Sequence, residues 1–74
     1  MQVRVGRCLL REHLESRKIT QLQLAEKLGV YEQAINRYVN NRAVMSYQIA
    51  KNIADILECD MDDLYEWERV SINE

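Results

Sequence analysis

TQLQLAEKLGVYEQAINRYVN, residues 20 to 40, reads as two short helices meeting at a glycine. Thr20 is a good N-cap, and Gln23 three residues on completes a T-x-x-Q capping box. Ile19 and Leu24 occupy the two places of a hydrophobic staple across that cap. The first helix then runs from Gln21 to Leu28, with Leu24, Ala25 and Leu28 along one face. Gly29 follows, where a left-handed backbone costs a residue without a Cβ almost nothing. The second helix, from about Glu32 to Val39, is expected to bury Ile35 and Tyr38. Glu32, Gln33, Asn36 and Arg37 are left outside, as side chains suited to reading hydrogen-bonding edges.

Counted from Gln21, the twenty residues to Asn40 hold Ala25 at the fifth place and Gly29 at the ninth. Leu24, Leu28, Val30, Ile35 and Tyr38 fill the fourth, eighth, tenth, fifteenth and eighteenth. That pattern resembles the helix-turn-helix of the phage-repressor/Cro type, the XRE-like family. A small residue at Ala25 lets the second helix cross close over the first. The flanks RCLLREHLESRKITQ and ILECDMDDLYEW are similar to short regulators of mobile elements, so the likeness extends to about Tyr65. The resemblance implies an all-α, compact five-helix, lambda-repressor-like domain whose second and third helices are this pair. The domain is expected over residues 1–66, with 67–74 as a short C-terminal tail.

Composition sets the outer bounds. At 74 residues the chain is one domain, and 47% apolar with 30% charged residues describes a globular chain. No apolar run approaches the ~18 residues of a membrane span, and MQVRVGR has no signal-peptide core. A cytoplasmic protein with no membrane partner is expected. Cys8 and Cys59 lie far apart, with one histidine in the chain, and do not make a zinc set. They read as reduced packing thiols. The net charge of −2 is unevenly spread: residues 1–45 carry +4 and residues 46–74 carry −6. A basic half holding the expected recognition helix would steer an anionic partner whatever the total. Ordinary solvated faces would show the same split.

Along the rest of the chain, a first helix is expected to begin between Val3 and Arg7 and end near Arg17, with Leu10 and Leu14 inward. Arg11–Glu15 offers a helical ion pair, and Arg4 and Arg7 either reach phosphate or stay solvated. His13 reads as a surface residue. Ser46 caps a fourth helix, SYQIAKNIADILE, with Ile49, Ile53 and Leu57 inward. Asp60 caps a short fifth helix over Met61–Tyr65; the Asp60, Asp62, Asp63 cluster reads as capping, since the glycine and glutamate of a calcium loop are missing. The stretch EWERVSINE admits three readings: a frayed end, a strand pairing with its twin, or a flap covering the core with Trp67.

Three departures from the family pattern stand out. Leu22 is apolar at a usually polar place, Tyr31 replaces a Ser or Thr cap, and Asn41 stands where Gly is usual. Val39, where the family tends to have Glu or an aromatic, has no evident reason in the sequence.

The resemblance implies a sequence-specific double-stranded DNA-binding regulator, a repressor of phage or mobile-element type acting as a homodimer on its operator, with residues 31–39 in the major groove. Base reading falls to Glu32, Gln33, Asn36 and Arg37: Gln pairs with adenine, Arg with guanine, and Glu accepts from cytosine. Phosphate contacts fall to Gln21, Tyr31, Asn40 and Arg42 on either side. Leu22, the region around Trp67 and the face of the fifth helix are candidate dimer surfaces. The competing reading is a protein-interaction module of the same fold, an anti-repressor or antitoxin-like partner, favoured by Glu32, Tyr31, Val39 and the acidic half. With one histidine, no Gly-rich phosphate loop and little chain to enclose a pocket, no enzyme and no small-molecule cofactor are expected.

Overall fold

The computed structural model describes residues 2–70. Its order is β1 (Gln2–Cys8), α1 (Leu10–Arg17), α2 (Gln21–Leu28), α3 (Glu32–Val39), α4 (Tyr47–Leu57), a 3₁₀ turn (Met61–Leu64) and β2 (Tyr65–Val70). Four α-helices and a two-stranded sheet therefore replace the all-α, five-helix arrangement expected from the sequence.

Both ends of the chain account for the difference. The first helix starts at Leu10, and the residues before it form β1, antiparallel to β2 with Val5 opposite Trp67 and Val3 opposite Arg69. Val3 and Val5 alternate with Arg4 at a strand's period of two, a signal hidden beside the Leu10–Leu14 helical spacing. Gly6 permits close strand approach: a Cβ there would sit 2.9 Å from the backbone oxygen of Glu66. The register slips between Val5 and Cys8, just where this glycine lies. At the other end the expected fifth helix shrinks to a four-residue 3₁₀ turn. Its entry is still tied by Asp63, whose carboxylate accepts from the Asp60 amide at 3.4 Å. Trp67 to Val70 belong to β2 and pair with this chain's own N-terminal strand, which none of the three readings of that stretch anticipated. Residues 71–74 of the expected tail lie outside the described residues.

An isolated pair of strands is marginal in water, so the sheet needs anchors. Cys8 and Tyr65 supply them by sinking into the core from the inner end of each strand. The Leu9 amide donates to the Leu64 carbonyl at 2.8 Å, and the Tyr65 hydroxyl accepts from the Met45 amide at 3.1 Å. Leu10, Leu24, Ile35, Ile53, Leu57 and Leu64 are the large side chains with essentially no exposed surface. One comes from each of α1, α2, α3 and the 3₁₀ turn and two from α4, so a single core holds every helix. Each contributes about 1.5–3 kcal/mol by its burial. Val39 is 6% exposed, one helical turn from Ile35. Its role is to fill the core, where Tyr38 is only partly buried.

Cys8 and Cys59 are both free thiols, the first buried and the second half-buried. Burial pushes both thiols' pKa up, which keeps them protonated and unreactive. His13 is not a simple surface residue. Its Nδ1 accepts from Arg17 at 3.0 Å, which leaves Nε2 to donate to the Asp63 carbonyl at 2.7 Å and tie α1 to the 3₁₀ turn. Arg17 in turn donates from Nε to the Leu57 carbonyl at 2.8 Å, satisfying an orphan acceptor at the end of α4.

Candidate nucleic-acid interface

The corner between α2 and α3 is built by local chemistry. Thr20 and Gln23 exchange bonds reciprocally: the Thr20 amide donates to Gln23 Oε1 at 2.9 Å, and the Gln23 amide to Thr20 Oγ1 at 3.0 Å. At the other end the amides of Gly29 and Val30 both reach the Ala25 carbonyl, at 2.9 and 3.0 Å. Gly29 has φ 75°, yet a Cβ there would touch nothing within 4 Å. The glycine is needed for its backbone conformation alone. Ala25 is buried, as close crossing of the two helices demands. α3 begins without a side-chain cap, since Tyr31 makes no such bond, and Glu32 in the first turn complements the macrodipole instead.

On the outer face of α3, Glu32, Gln33, Asn36 and Arg37 are all exposed. Gln33 and Arg37 line one shallow depression with Tyr31 and Ala34; Glu32 and Asn36 line the next, with Gln33 common to both. No side-chain partner among the described residues occupies Glu32, Gln33 or Arg37. Tyr31 projects at 84% exposure beside them. The four residues expected to meet bases thus share one open surface.

Asn36 differs from its neighbours by belonging to a ladder of side-chain bonds. It donates from Nδ2 to Gln21 Oε1 at 3.4 Å, and its own Oδ1 accepts from Asn40 at 3.1 Å. Asn40 Oδ1 then accepts from Arg11 at 3.1 Å. The ladder runs from α2 across α3 to α1 and leaves the amide nitrogen of Gln21 as that side chain's unused donor. Arg11, which the sequence offered for an ion pair with Glu15, sets the position of Asn40 instead. Nothing in the sequence pointed to it, because its partner lies 29 residues away.

The loop after α3 turns at Asn41, whose φ is 60°. Its departure from glycine has a use: Asn41 Oδ1 accepts the Cys8 amide at 2.9 Å. Strand β1 is thereby hooked to the end of α3. The amides of Asn40, Asn41 and Arg42 all turn back to α3 carbonyls, so the loop is rigid where Arg42 leaves it. Arg42 itself is exposed.

Charge is sorted by the sheet. Arg4 pairs with Glu68 at 2.9 Å, and Arg7 with Glu12 at 2.9 Å and Glu66 at 3.3 Å. Both arginines, expected either to reach phosphate or to stay solvated, stand in exposed ion pairs. The Arg7 guanidinium holds the Glu12 carboxyl below the usual range, chiefly through their hydrogen bond. Lys18, Lys27, Arg37 and Arg42 remain without a side-chain partner among the described residues. All four lie on or beside the two helices of the corner. Two acidic groups of the second half, Glu66 and Glu68, are thus spent on N-terminal arginines, while these four cations stay open around the corner.

Comparison with known proteins bears on this surface. A family model described as the Cro/C1-type HTH DNA-binding domain matches residues 10–69. The chain is also similar to the SPbeta prophage-derived uncharacterized HTH-type transcriptional regulator YopS of Bacillus subtilis (strain 168). The two are 39% identical over 70 residues, covering 90% of this chain and 92% of that one.

Proposed function

The chain belongs to the Cro/C1-type helix-turn-helix DNA-binding family, and from that premise we propose how it grips a duplex. It is a DNA-binding transcriptional regulator of phage type. α3 lies in the major groove with Gln33 across an adenine and Arg37 across a guanine, one helical turn apart. Glu32 accepts from a cytosine amine, and Asn36, steadied by Gln21 and Asn40, reads with the hydrogen-bonding capacity the ladder leaves it. Gln21 turns its amide nitrogen to a phosphate at the N-terminus of α2, where the helix dipole favours an anion. Arg42 grips the backbone on the far side, the Tyr31 hydroxyl adds a contact, and Asn40 holds the ladder against that strand.

The regulator acts in the cytoplasm as a repressor, by occupancy alone, without catalysis or a small-molecule cofactor. It binds as a homodimer on half-sites separated by about one helical turn, 34–36 Å. The observation that carries this reading is the outward, partnerless pair Gln33 and Arg37. A protein-interaction module would have no need to hold both open beside three other uncommitted cations, Lys18, Lys27 and Arg42.

Selection of bound duplexes from a random pool tests it, giving both the site and, from its symmetry, the number of subunits. Arg37→Ala is expected to cost about 1–3 kcal/mol and to relax one base pair of the selected site. Gln21→Ala is expected to weaken all sequences alike. No enriched sequence, or affinity indifferent to salt between about 50 and 200 mM, would overturn the reading.

A further inference from the structure

The ladder that joins Arg11 on α1 to Gln21 on α2 passes through two asparagines, Asn40 and Asn36. An amide side chain has two orientations of nearly the same shape, one offering oxygen where the other offers nitrogen. Packing alone therefore does not choose between them. Arg11 does, because a guanidinium carries only donors. It donates to Asn40 Oδ1 at 3.1 Å, which turns the Asn40 nitrogen towards Asn36. That nitrogen takes the Asn36 oxygen at 3.1 Å, and the Asn36 nitrogen takes the Gln21 oxygen at 3.4 Å. The last rung leaves the Gln21 nitrogen pointing away from the ladder. Without Arg11, the reversed order would satisfy the three amides equally well, with Gln21 donating inward and Asn40 presenting its nitrogen at the far end.

We propose that Arg11 is a positioning residue for DNA recognition: it touches no base, but sets the polarity of the ladder so that Asn36 meets an adenine and Gln21 donates to a phosphate. The assignment rests on the operator reading. Two donor hydrogens and two acceptor lone pairs belong to the Asn36 amide, and the ladder takes one of each. One donor and one acceptor remain, the combination that adenine N7 and its N6 amine require. Reversing the ladder would exchange the two ends of that amide. Its donor would then face the adenine amine and its acceptor would face N7. Gln21 would likewise turn an oxygen, not a nitrogen, to the phosphate. Each rung is exposed in the free chain and worth little there, but a duplex seated on α3 covers Asn36 and raises the cost of a mismatched group.

Arg11 is exposed in the first turn of α1, so its replacement leaves the core intact. The test compares the wild type with Arg11→Lys, which still only donates, and with Arg11→Glu, which only accepts. Affinity is measured for the selected duplex and for one altered at the pair that Asn36→Ala relaxes, which is expected to be A·T. Arg11→Lys should keep the wild-type ratio between the two duplexes. Arg11→Glu weakens both through its charge, and the ratio cancels that loss. The ratio itself should fall by about 10-fold. Gln21→Ala should then cost the Arg11→Glu chain far less than it costs the wild type. On the free chain, the side-chain amide resonances of Asn36 and Gln21 should move in Arg11→Glu and hold in Arg11→Lys. Asn40→Ala, which cuts the ladder in the middle, should lower the ratio by itself and repeats the test should Arg11→Glu lose its helical circular dichroism. A ratio that survives Arg11→Glu or Asn40→Ala makes Arg11 an ordinary phosphate cation and overturns the proposal. So does an Arg11→Lys chain no better than Arg11→Glu, or an Asn36→Ala chain that relaxes no A·T pair. A wild type that selects no duplex strikes the operator reading instead, while the amide resonances still judge the ladder.

Discussion

The corner formed by α2 and α3 and the sheet formed by β1 and β2 are held together by opposite means. The bonds that cap and turn the corner join residues within five positions: Thr20 with Gln23, Ala25 with Gly29 and Val30. The sheet joins residues more than fifty positions apart, and the Arg4–Glu68 pair spans 64. One is a local motif that presents Gln33 and Arg37; the other is a long-range closure that absorbs N-terminal charge and anchors the loop behind Arg42. The lesson is that the reading surface and the frame that aims it are specified at different ranges along the chain.

The severest way to break the comparison is to remove what both regions share. Ile35→Ala, at a side chain with no exposed surface, is expected to cost about 2–5 kcal/mol and to melt helices and sheet in one transition. Two separate transitions, by circular dichroism for the helices and Trp67 emission for the sheet, would show that the regions do not form one cooperative unit. Gly6→Ala sharpens the contrast from the sheet's side. The new Cβ meets the Glu66 backbone, and the overpacking is expected to cost about 1–3 kcal/mol. Hydrogen exchange should quicken in β1 and β2 while the amides of α2 and α3 hold their protection.

Asn41→Gly probes the link between the two. The substitution suits the positive φ but orphans the Cys8 amide, and a net loss of about 1 kcal/mol is expected in denaturant unfolding. An unchanged midpoint would mean that β1 is held by its other contacts. Smallest of all is the exposed pair Arg7–Glu12. Glu12 has a folded pKa below its ordinary value of 4.5, so its stabilisation is present above that value and is lost as pH falls through the folded one. The loss is expected to be the smallest of these effects, screened by solvent and seen as a shallower acid limb for Glu12→Gln.

Much of the corner was legible from residue types. Thr20, Gln23, Ser46 and Gly29 perform the caps and the turn that their chemistry suggests, and the outer face of α3 is exposed as its periodicity implied. The ends were not legible. Residues 2–8 and 65–70 each carry a short, mixed pattern that becomes a strand only because the other is there to complete its backbone bonds. Lys18 and Glu58, at φ 56° and 59°, end α1 and α4 in left-handed conformations that their residue types do not advertise.

What the amino-acid string determined by itself was the helix-turn-helix: its caps, its glycine corner, and which side chains face outward, since each depends on neighbours three or four places away. What only the tertiary structure decided was the company those side chains keep. Arg11 came to rest on Asn40, Asn41 on Cys8, Arg7 on Glu66, and Val39 in the core. Such pairings are chosen by how the helices pack and the sheet closes, and no local pattern encodes a partner that folding alone brings near.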